Sequence, residues 1–274
     1  MTAPWLRRIR VVFEREVATV WRTRTYLVLS VGFFLLIVAI ALTSGVSGYV
    51  PLVLSLLTPI ELLVPLFAGA FGYPAIVSER ERDELDIHQT YPVTRGEYVV
   101  GIYLARLLAL IVSVVLPLLV LVFAVPLFGR AATFLPQSTG LDSPVLYLRF
   151  VVLTAVFGAV TLAVFHLVSA VARDARRGLV TTLVALLTVI FGFDVAAVVG
   201  LGFGGDAASA MLALLSPNGA YRTLVLSLTV APVTASADAS FNDVVVSTLV
   251  LIAWALLSLF STGLLVWTPL SADT

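Results

Sequence analysis

Six long apolar stretches, separated by short charged loops, occupy most of this 274-residue chain. The hydrocarbon core of a bilayer is about 30 Å thick, so a helix needs roughly 20 apolar residues to cross it. The stretches predict six transmembrane helices, at approximately residues 26–43, 52–76, 99–127, 145–171, 179–203 and 243–267. A transmembrane β-barrel would instead show segments of about 10 residues that alternate in polarity. The predicted fold class is therefore all-α, a polytopic membrane protein.

Composition supports a chain with almost no soluble domain. Hydrophobic residues make up 60% of the sequence and charged residues only 12%, whereas about a quarter of the residues in a soluble domain are charged. One alternative concerns the first stretch, because residues 43–47 have some likeness to the cleavage site of a signal peptide. Cleavage there would leave five spans, but we interpret the stretch as a retained helix.

Three residue types restrict the chemistry of the chain. It has no cysteine and two methionines, Met1 and Met211, which excludes disulfides and thiolate metal sites. All 16 basic residues are arginine, and a Walker A loop needs a lysine to reach nucleotide phosphates. The chain therefore cannot hydrolyse ATP by that mechanism. We expect no cofactor and no metal in this chain.

The distribution of arginine predicts the topology. Basic residues in short loops are retained in the cytoplasm. Three arginines fall on one side of the predicted spans, at positions 130, 149 and 222, and thirteen fall on the other, at positions 7, 8, 10, 15, 22, 24, 80, 82, 95, 106, 173, 176 and 177. This pattern predicts a multi-pass protein of the plasma membrane with both chain ends in the cytoplasm, including a tail at 268–274.

Residues 1–25 predict an amphipathic helix. Apolar side chains recur at helical spacing, and basic side chains lie largely on the opposite side; the apolar set is Trp5, Ile9, Val12, Phe13, Val17, Val20 and Trp21. A basic polar face with tryptophans at the ends is typical of a helix in the headgroup region of the lipid bilayer. The alternative is a segment that only anchors the topology.

The densest charge lies in the predicted cytoplasmic loop at 78–97. Ser78 with Glu81, and Thr94 with Glu97, have the spacing of a capping box, and Pro92 interrupts helical hydrogen bonding between them. The first box predicts a short cytoplasmic helix and the second the start of span three. Such a helix, continuous with membrane helices, suits the docking of a soluble partner. The alternative is a solvated loop that only holds topology.

Ionisable residues inside predicted spans are a further signal, since an unpaired charge in hydrocarbon costs several kcal/mol. We select Glu61, Asp194 and His166. The two acids, both toward the outer half, would line an outward cavity, pair with Arg149, or belong to a structural network. His166 is expected to be a hydrogen-bonded structural residue. We predict no catalytic residue, because no GxSxG or HExxH motif and no close pair of intramembrane aspartates occurs.

The segment from Glu79 to Gly101 resembles the loop between spans two and three of ABC-2 type permeases. The positions that match the family pattern are Glu79, Glu81, Arg82, Leu85, Pro92, Arg95 and Gly101. The resemblance implies a six-span permease domain at 26–267 and a homodimer. It also implies that this segment contacts a separate ABC ATPase subunit, which binds ATP and Mg. Asp83-Glu84 and Ile102 depart from the family pattern, which has Gly-Thr and Lys there.

A second likeness is to the branch of that family that serves nitrous oxide reductase maturation. Residues 90–92, Phe193-Asp194 and 214–222 carry it. It implies an extracytoplasmic β-helical partner that docks on the outer segment, 204–242, with Pro217, Tyr221 and Arg222 at the contact. Soft ligands for Cu(I) are lacking, which favours mechanical transmission or a cargo other than copper.

Other functions remain open at this stage. An ABC-2 exporter of a lipid or another hydrophobic compound fits the same residues. An autonomous secondary transporter would need a coupling-ion site, for which only Glu61 and Asp194 are available. An intramembrane enzyme is disfavoured by the lack of a catalytic set, and no nucleic-acid partner is expected.

Overall fold

In the computed structural model, every regular element among the described residues is helical. These residues are 4–44, 48–82, 93–128, 142–192, 195, 198, 214–234 and 241–267. Six helices within them are long and apolar enough to cross a membrane. The predicted all-α fold with six transmembrane helices is confirmed.

The elements run in the following order. The first four helices are α1 (Pro4–Arg22), α2 (Arg24–Thr43), α3 (Tyr49–Gly72) and, after a 3-10 turn at Tyr73–Ala75, α4 (Val77–Glu81). The next four are α5 (Arg95–Leu121), α6 (Ala124–Phe128), α7 (Pro144–Val171) and α8 (Ala175–Leu187), which continues as a π-helical turn at Thr188–Gly192. The last three are α9 (Pro217–Val225), with a π-helical turn at Leu226–Val230, α10 (Ala231–Thr234) and α11 (Phe241–Leu265).

The spans correspond to α2, α3, α5, α7, α8 and α11, each within a few residues of its predicted bounds. The predicted end of span five, beyond residue 192, falls mostly outside the described residues. The helical segment that contains span two runs on to Glu81, because the 3-10 turn carries the chain from α3 directly into α4.

The core of the bundle lies between α3 and α7, which are largely buried. Span one joins this core through Phe33, Ile37 and Ala41, all at most 2% exposed, and through a 2.7 Å hydrogen bond from Ser30 Oγ to Ser113 Oγ. This packing is what a retained first helix requires.

The predicted N-terminal helix forms, and it packs along the start of α5. A Cβ at Gly101 would lie within 2.7 Å of the Val12 side chain, so only glycine permits this approach. Glu16 and Val20 face inward, whereas Trp5 and Trp21 are each half exposed. Besides its predicted place at the bilayer surface, α1 is therefore a packed part of the bundle.

Both ends of the described chain lie at the same end of the bundle. Val266, just beyond α11, accepts a 3.5 Å hydrogen bond from Arg80 of α4, and α4 is also tied to α1. We call this side, which holds α1, α4 and the starts of α5 and α8, the arginine-rich end.

Candidate functional site: a charged hub beneath span two

The chain turns sharply where α3 ends. Gly72 is the last residue of the helix, and a Cβ there would lie 2.7 Å from the Phe165 Cβ of α7. Pro74 follows in the 3-10 turn, and proline cannot donate the backbone hydrogen bond that would continue the α-helix. Close packing and proline together fix the position at which span two ends and α4 begins.

Arg106 of α5 caps the end of α3. Its Nη1 donates to the Phe71 carbonyl and its Nη2 to the Pro74 carbonyl at 3.3 Å. A cation is favoured at a helix C-terminus, where carbonyls lack intrahelical partners and the helix dipole is negative. The remaining side of the guanidinium is neutralised by Glu16 of α1, whose Oε1 lies 2.8 Å from Arg106 Nε. Both side chains are buried.

Ser169 of α7 holds the same turn from the other side. Its hydroxyl donates to the Tyr73 carbonyl at 2.6 Å and accepts from the amides of Ile76 and Val77 at 2.9 and 3.1 Å. One side chain thus satisfies three backbone groups that the break in the helix leaves without helical partners. The turn is fixed to both neighbouring spans.

Three consecutive residues of α4 bind three different parts of the bundle. Glu79 pairs with Arg15 of α1. Arg80 donates to the carbonyls of Ala170, at 2.9 Å, Ala172 and Val266, near the ends of α7 and α11. Glu81 Oε1 accepts from the amide of Ala175, the first residue of α8, at 2.6 Å. We call the six charged residues that meet here the charged hub: Arg15, Glu16, Glu79, Arg80, Glu81 and Arg106.

The predicted ATPase-coupling residues occupy different positions in this arrangement. Glu79 is only 8% exposed. Its side chain pairs with Arg15 inside the hub and leaves little surface for contact with an ATPase. Glu81 and Arg82 are exposed at the arginine-rich end, whereas Leu85 and Pro92 lie outside the described residues. Contact of this segment with an ATPase stays a prediction.

Of the two predicted capping boxes, one forms. Thr94 Oγ1 accepts from Glu97 N at 3.4 Å, and Glu97 Oε2 accepts from Thr94 N at 2.8 Å, so the start of span three is as predicted. The Ser78 box is wrong, because Ser78 donates to the Pro74 carbonyl and Glu81 turns to α8. Ser78 thus makes a different local hydrogen bond, and Glu81 is taken by a tertiary partner.

The start of α5 is anchored by two further contacts. The Arg95 guanidinium lies 5.7 Å from the centre of the Trp267 ring, a cation–π geometry. Glu97 accepts from Arg8 Nε at 2.9 Å and from Arg8 Nη2 at 2.6 Å, and this hydrogen bonding raises the pKa of Arg8 above its ordinary value. The predicted coupling residue Arg95 is thus tied to the end of span six.

Glu61 has a partner that sequence reasoning did not assign. Arg222 Nε donates to Glu61 Oε1 at 2.7 Å, and Arg222 Nη2 contacts Oε2. The suggested pairing of Glu61 with Arg149 is wrong, because Arg149 instead donates to the Leu228 carbonyl at 3.2 Å. Asp194 lies outside the described residues.

His166 is fully buried in α7. Its Nδ1 is 3.0 Å from the Leu162 carbonyl, and its ring meets Tyr103 edge-on at 5.5 Å. These contacts agree with the structural role predicted for it. Among the described residues, no three His, Asp or Glu side chains converge on a point where a metal ion would bind.

The described part of the outer segment includes a short capped helix, α9, which we call the outer half-helix. Ser216 Oγ accepts from Gly219 N at 2.6 Å, and Pro217 follows at the first helical turn. Tyr221 is fully buried, stacked on Phe157 with ring centres 4.5 Å apart. Pro217 is buried too, so neither side chain presents a surface to a partner in this structure. Arg222 is exposed, with half of its side chain accessible.

A cavity of about 510 Å³ lies beside the Glu61–Arg222 pair. Its wall is mostly apolar, with Leu36, Leu62, Leu63, Ile190 and Phe191 among its lining residues, and its polar groups come from Thr58, Glu61, Asn218 and Arg222. Such a cavity could hold an amphipathic ligand, or it could give the surrounding helices space to move.

Sequence reasoning missed Glu16, the most buried acid of the charged hub. The signal was present, because Glu16 lies three residues after Phe13 and four from both Val12 and Val20. This spacing places a carboxylate inside the apolar stripe of α1, which requires a buried cation as partner. From the sequence, Arg106 was placed only among the thirteen arginines of the predicted cytoplasmic side.

The fold and these contacts define a multi-span membrane protein whose charges are concentrated at one end. The family model for the ABC-2 family transporter protein matches residues 10–264, and the chain belongs to that family. It is similar to the probable ABC transporter permease protein NosY of Pseudomonas aeruginosa, with 29% identity over 231 residues, 79% of this chain and 80% of that protein. The protein of the same name from Stutzerimonas stutzeri is 27% identical over the same shares of both chains.

Proposed function

We propose that this chain couples ATP hydrolysis by a separate ATPase subunit either to transport of a substrate or to transmission of a conformational change across the membrane. ATP and Mg would be bound by that subunit, which docks at the arginine-rich end on the cytoplasmic side. A second copy of the chain completes the membrane domain. The observation that carries this proposal is the charged hub.

The hub makes α4 a lever on the whole bundle. Glu81 of the hub and the next residue, Arg82, are exposed, where a soluble subunit can bind. Force on α4 passes through the fixed turn into α3, and through Arg80 and Glu81 into α7, α8 and α11. The pair of the buried Glu79 with Arg15 is costly to break, so α1 follows α4 as well.

The specific role that we favour is that of the NosY relatives, in the maturation of nitrous oxide reductase. An extracytoplasmic β-helical partner would then dock on the outer segment, 204–242. Of the three predicted contact residues, Arg222 is the one whose side chain is not buried by the described residues. Because the chain has no cysteine and only two methionines, which leaves it poor in Cu(I) ligands, transmission of force is favoured over passage of copper.

A second candidate function is export of a lipid or another hydrophobic compound. The cavity beside Glu61 supports it, because its wall is mainly apolar with a few convergent polar groups. In this case the outer segment would need no protein partner.

Affinity purification of the tagged protein from its native membrane in mild detergent separates these functions. Recovery of an ATPase subunit together with an extracytoplasmic β-helical protein supports the NosY-like role. Recovery of an ATPase alone supports an exporter. Recovery of neither contradicts the proposal and favours an autonomous secondary transporter.

A triple substitution tests the docking site itself. Changing Glu81, Leu85 and Arg95 to Ala should weaken co-purification of the ATPase while the protein stays monodisperse in detergent. The matched control is Arg176→Ala with Arg177→Ala, which removes two exposed charges from the first turn of α8. Equal recovery of the ATPase by the triple variant and the native protein would contradict the assignment.

A further inference from the structure

The Glu61–Arg222 pair joins span two to the outer half-helix. Both oxygens of the carboxylate meet nitrogens of the guanidinium, with Nε 2.7 Å from Oε1. The Glu61 side chain is only 5% exposed. Two parallel contacts of this kind fix the relative orientation of the two groups as well as their distance.

The backbone is interrupted on each element that meets at this pair. Pro59 and Pro65 flank Glu61 within α3. Because Pro65 has no N–H, it cannot bond the carbonyl of Glu61, four residues earlier, and the helix can bend there. A π-helical turn, Leu226–Val230, follows α9, and another, Thr188–Gly192, ends the described part of span five. Such turns recur at functional positions in helices.

Packing next to the pair is incomplete. The cavity of about 510 Å³ is lined by Ile190, Asn218 and Thr58 as well as by the pair itself. The buried Oδ1 of Asn218 has no hydrogen-bond partner among the described residues. Apolar packing therefore does little to hold α9 in place on the side of the cavity. There, the ion pair of Arg222 with Glu61 connects α9 to α3.

We infer that the Glu61–Arg222 pair transmits bending of span two to the outer segment. This inference rests on the proposed function, in which the hub moves α3 by way of α4. Separating the two charges would leave the buried Glu61 carboxylate without its cation inside the membrane, at a cost of several kcal/mol. When α3 bends at Glu61, α9 therefore moves with it, and the cavity supplies the space.

The lack of native cysteine allows a direct test in the complete complex with its ATPase subunit. One reporter is an environment-sensitive fluorophore on Ala231→Cys, at the outer end of the segment. The other is the same fluorophore on Gly96→Cys, at the arginine-rich end, where an added Cβ would lie within 4 Å of no atom of the described residues. Each is measured with and without ATP.

In the native background, both reporters should respond to ATP. With Glu61→Gln or Arg222→Gln, the response at position 96 should remain and the response at 231 should be lost. The charge swap Glu61→Arg with Arg222→Glu should restore the response at 231. Arg149→Gln is the matched control, because it removes an arginine contact of the outer segment with α7 instead of α3, and it should leave both responses unchanged.

The outcomes distinguish the inference from the proposed function. A response at 231 that persists in either single variant overturns the inference, as does its loss in the Arg149 control. If the single variants fail to fold, the test rests on the charge-swap variant. A charge-swap variant that folds but gives no response at position 231 also overturns the inference. If neither native reporter responds to ATP, the proposed function itself fails.

Discussion

At the residue scale, the interior of this protein matches buried charge with opposite charge. Glu16 and Arg106 have side chains that are 4% and 6% exposed, and the Glu61 carboxylate is held by Arg222. A single charge at either place would be prohibitive in an apolar bundle. Arg106 also satisfies carbonyls at the end of α3, so it contributes to helix capping as well as to charge balance.

Arg106→Gln should destabilise the protein strongly. Glu16 would be left as a buried charge without its cation, and breaking such a pair costs about 3–5 kcal/mol. Thermal unfolding in one detergent should show a large decrease in Tm. Adding Glu16→Gln should recover part of this loss, because the uncompensated charge is then removed.

The control for that prediction is the exposed pair Arg10–Glu14 on the same helix. Arg10→Gln should leave Tm unchanged, since solvent screens an exposed pair. Equal decreases in Tm for Arg10→Gln and Arg106→Gln would contradict the prediction, because the loss of stability would then not depend on burial of the ion pair.

Gly101→Val should displace α1 from α5. A Cβ at this position would lie 2.7 Å from the Val12 side chain and 3.2 Å from the Ile9 carbonyl, so the two helices must separate. The arginines of α1 would then be cut faster by trypsin. Gly96→Val is the control, because nothing lies within 4 Å of a Cβ there, and its cleavage rate should match that of the native protein.

At the element scale, short helices and turns decide how the long spans are connected. The five residues of α4 could not form a stable helix alone, because nucleation of a helix is costly. They are held by bonds from Glu79, Arg80 and Glu81 to three different parts of the bundle. The outer half-helix α9 is likewise positioned by its Ser216 cap and by packing of Tyr221 on α7.

Ser216→Ala should weaken the start of α9. The hydroxyl accepts from Gly219 N at 2.6 Å, and loss of such a cap costs about 1 kcal/mol. Hydrogen exchange of the amides at 219–221 should accelerate, while amides in the middle of α7 keep their rates. Ser216→Asp, which can also accept that bond, should retain slower exchange than Ser216→Ala.

At the scale of the whole molecule, an even number of spans places both ends of the described chain on one side. That side carries the hub, the exposed Glu81 and Arg82, and the start of α5. The opposite side carries the end of the outer segment. The proposed orientation puts the arginine-rich end in the cytoplasm and the opposite side outside the cell.

Cysteine labelling in intact spheroplasts tests this orientation. The variants Gly96→Cys and Ala231→Cys each provide one thiol in a chain that has none. A membrane-impermeant maleimide should label position 231 in intact spheroplasts and position 96 only after permeabilisation. The reverse pattern would invert the topology and remove the ATPase from the arginine-rich end.

The number and approximate bounds of the spans could be predicted from the sequence, because the length of an apolar run is a local property and the bilayer thickness sets the length of helix that it needs. The Thr94–Glu97 cap could be predicted as well, since it involves residues only three apart. The pairing of Glu61 with Arg222, the binding of Arg106 to Glu16 and the contact of Glu81 with the start of α8 could not be predicted and are seen only in the folded chain. These contacts join residues 90 or more positions apart, and their choice depends on which helices pack together, information that no local pattern of residues contains.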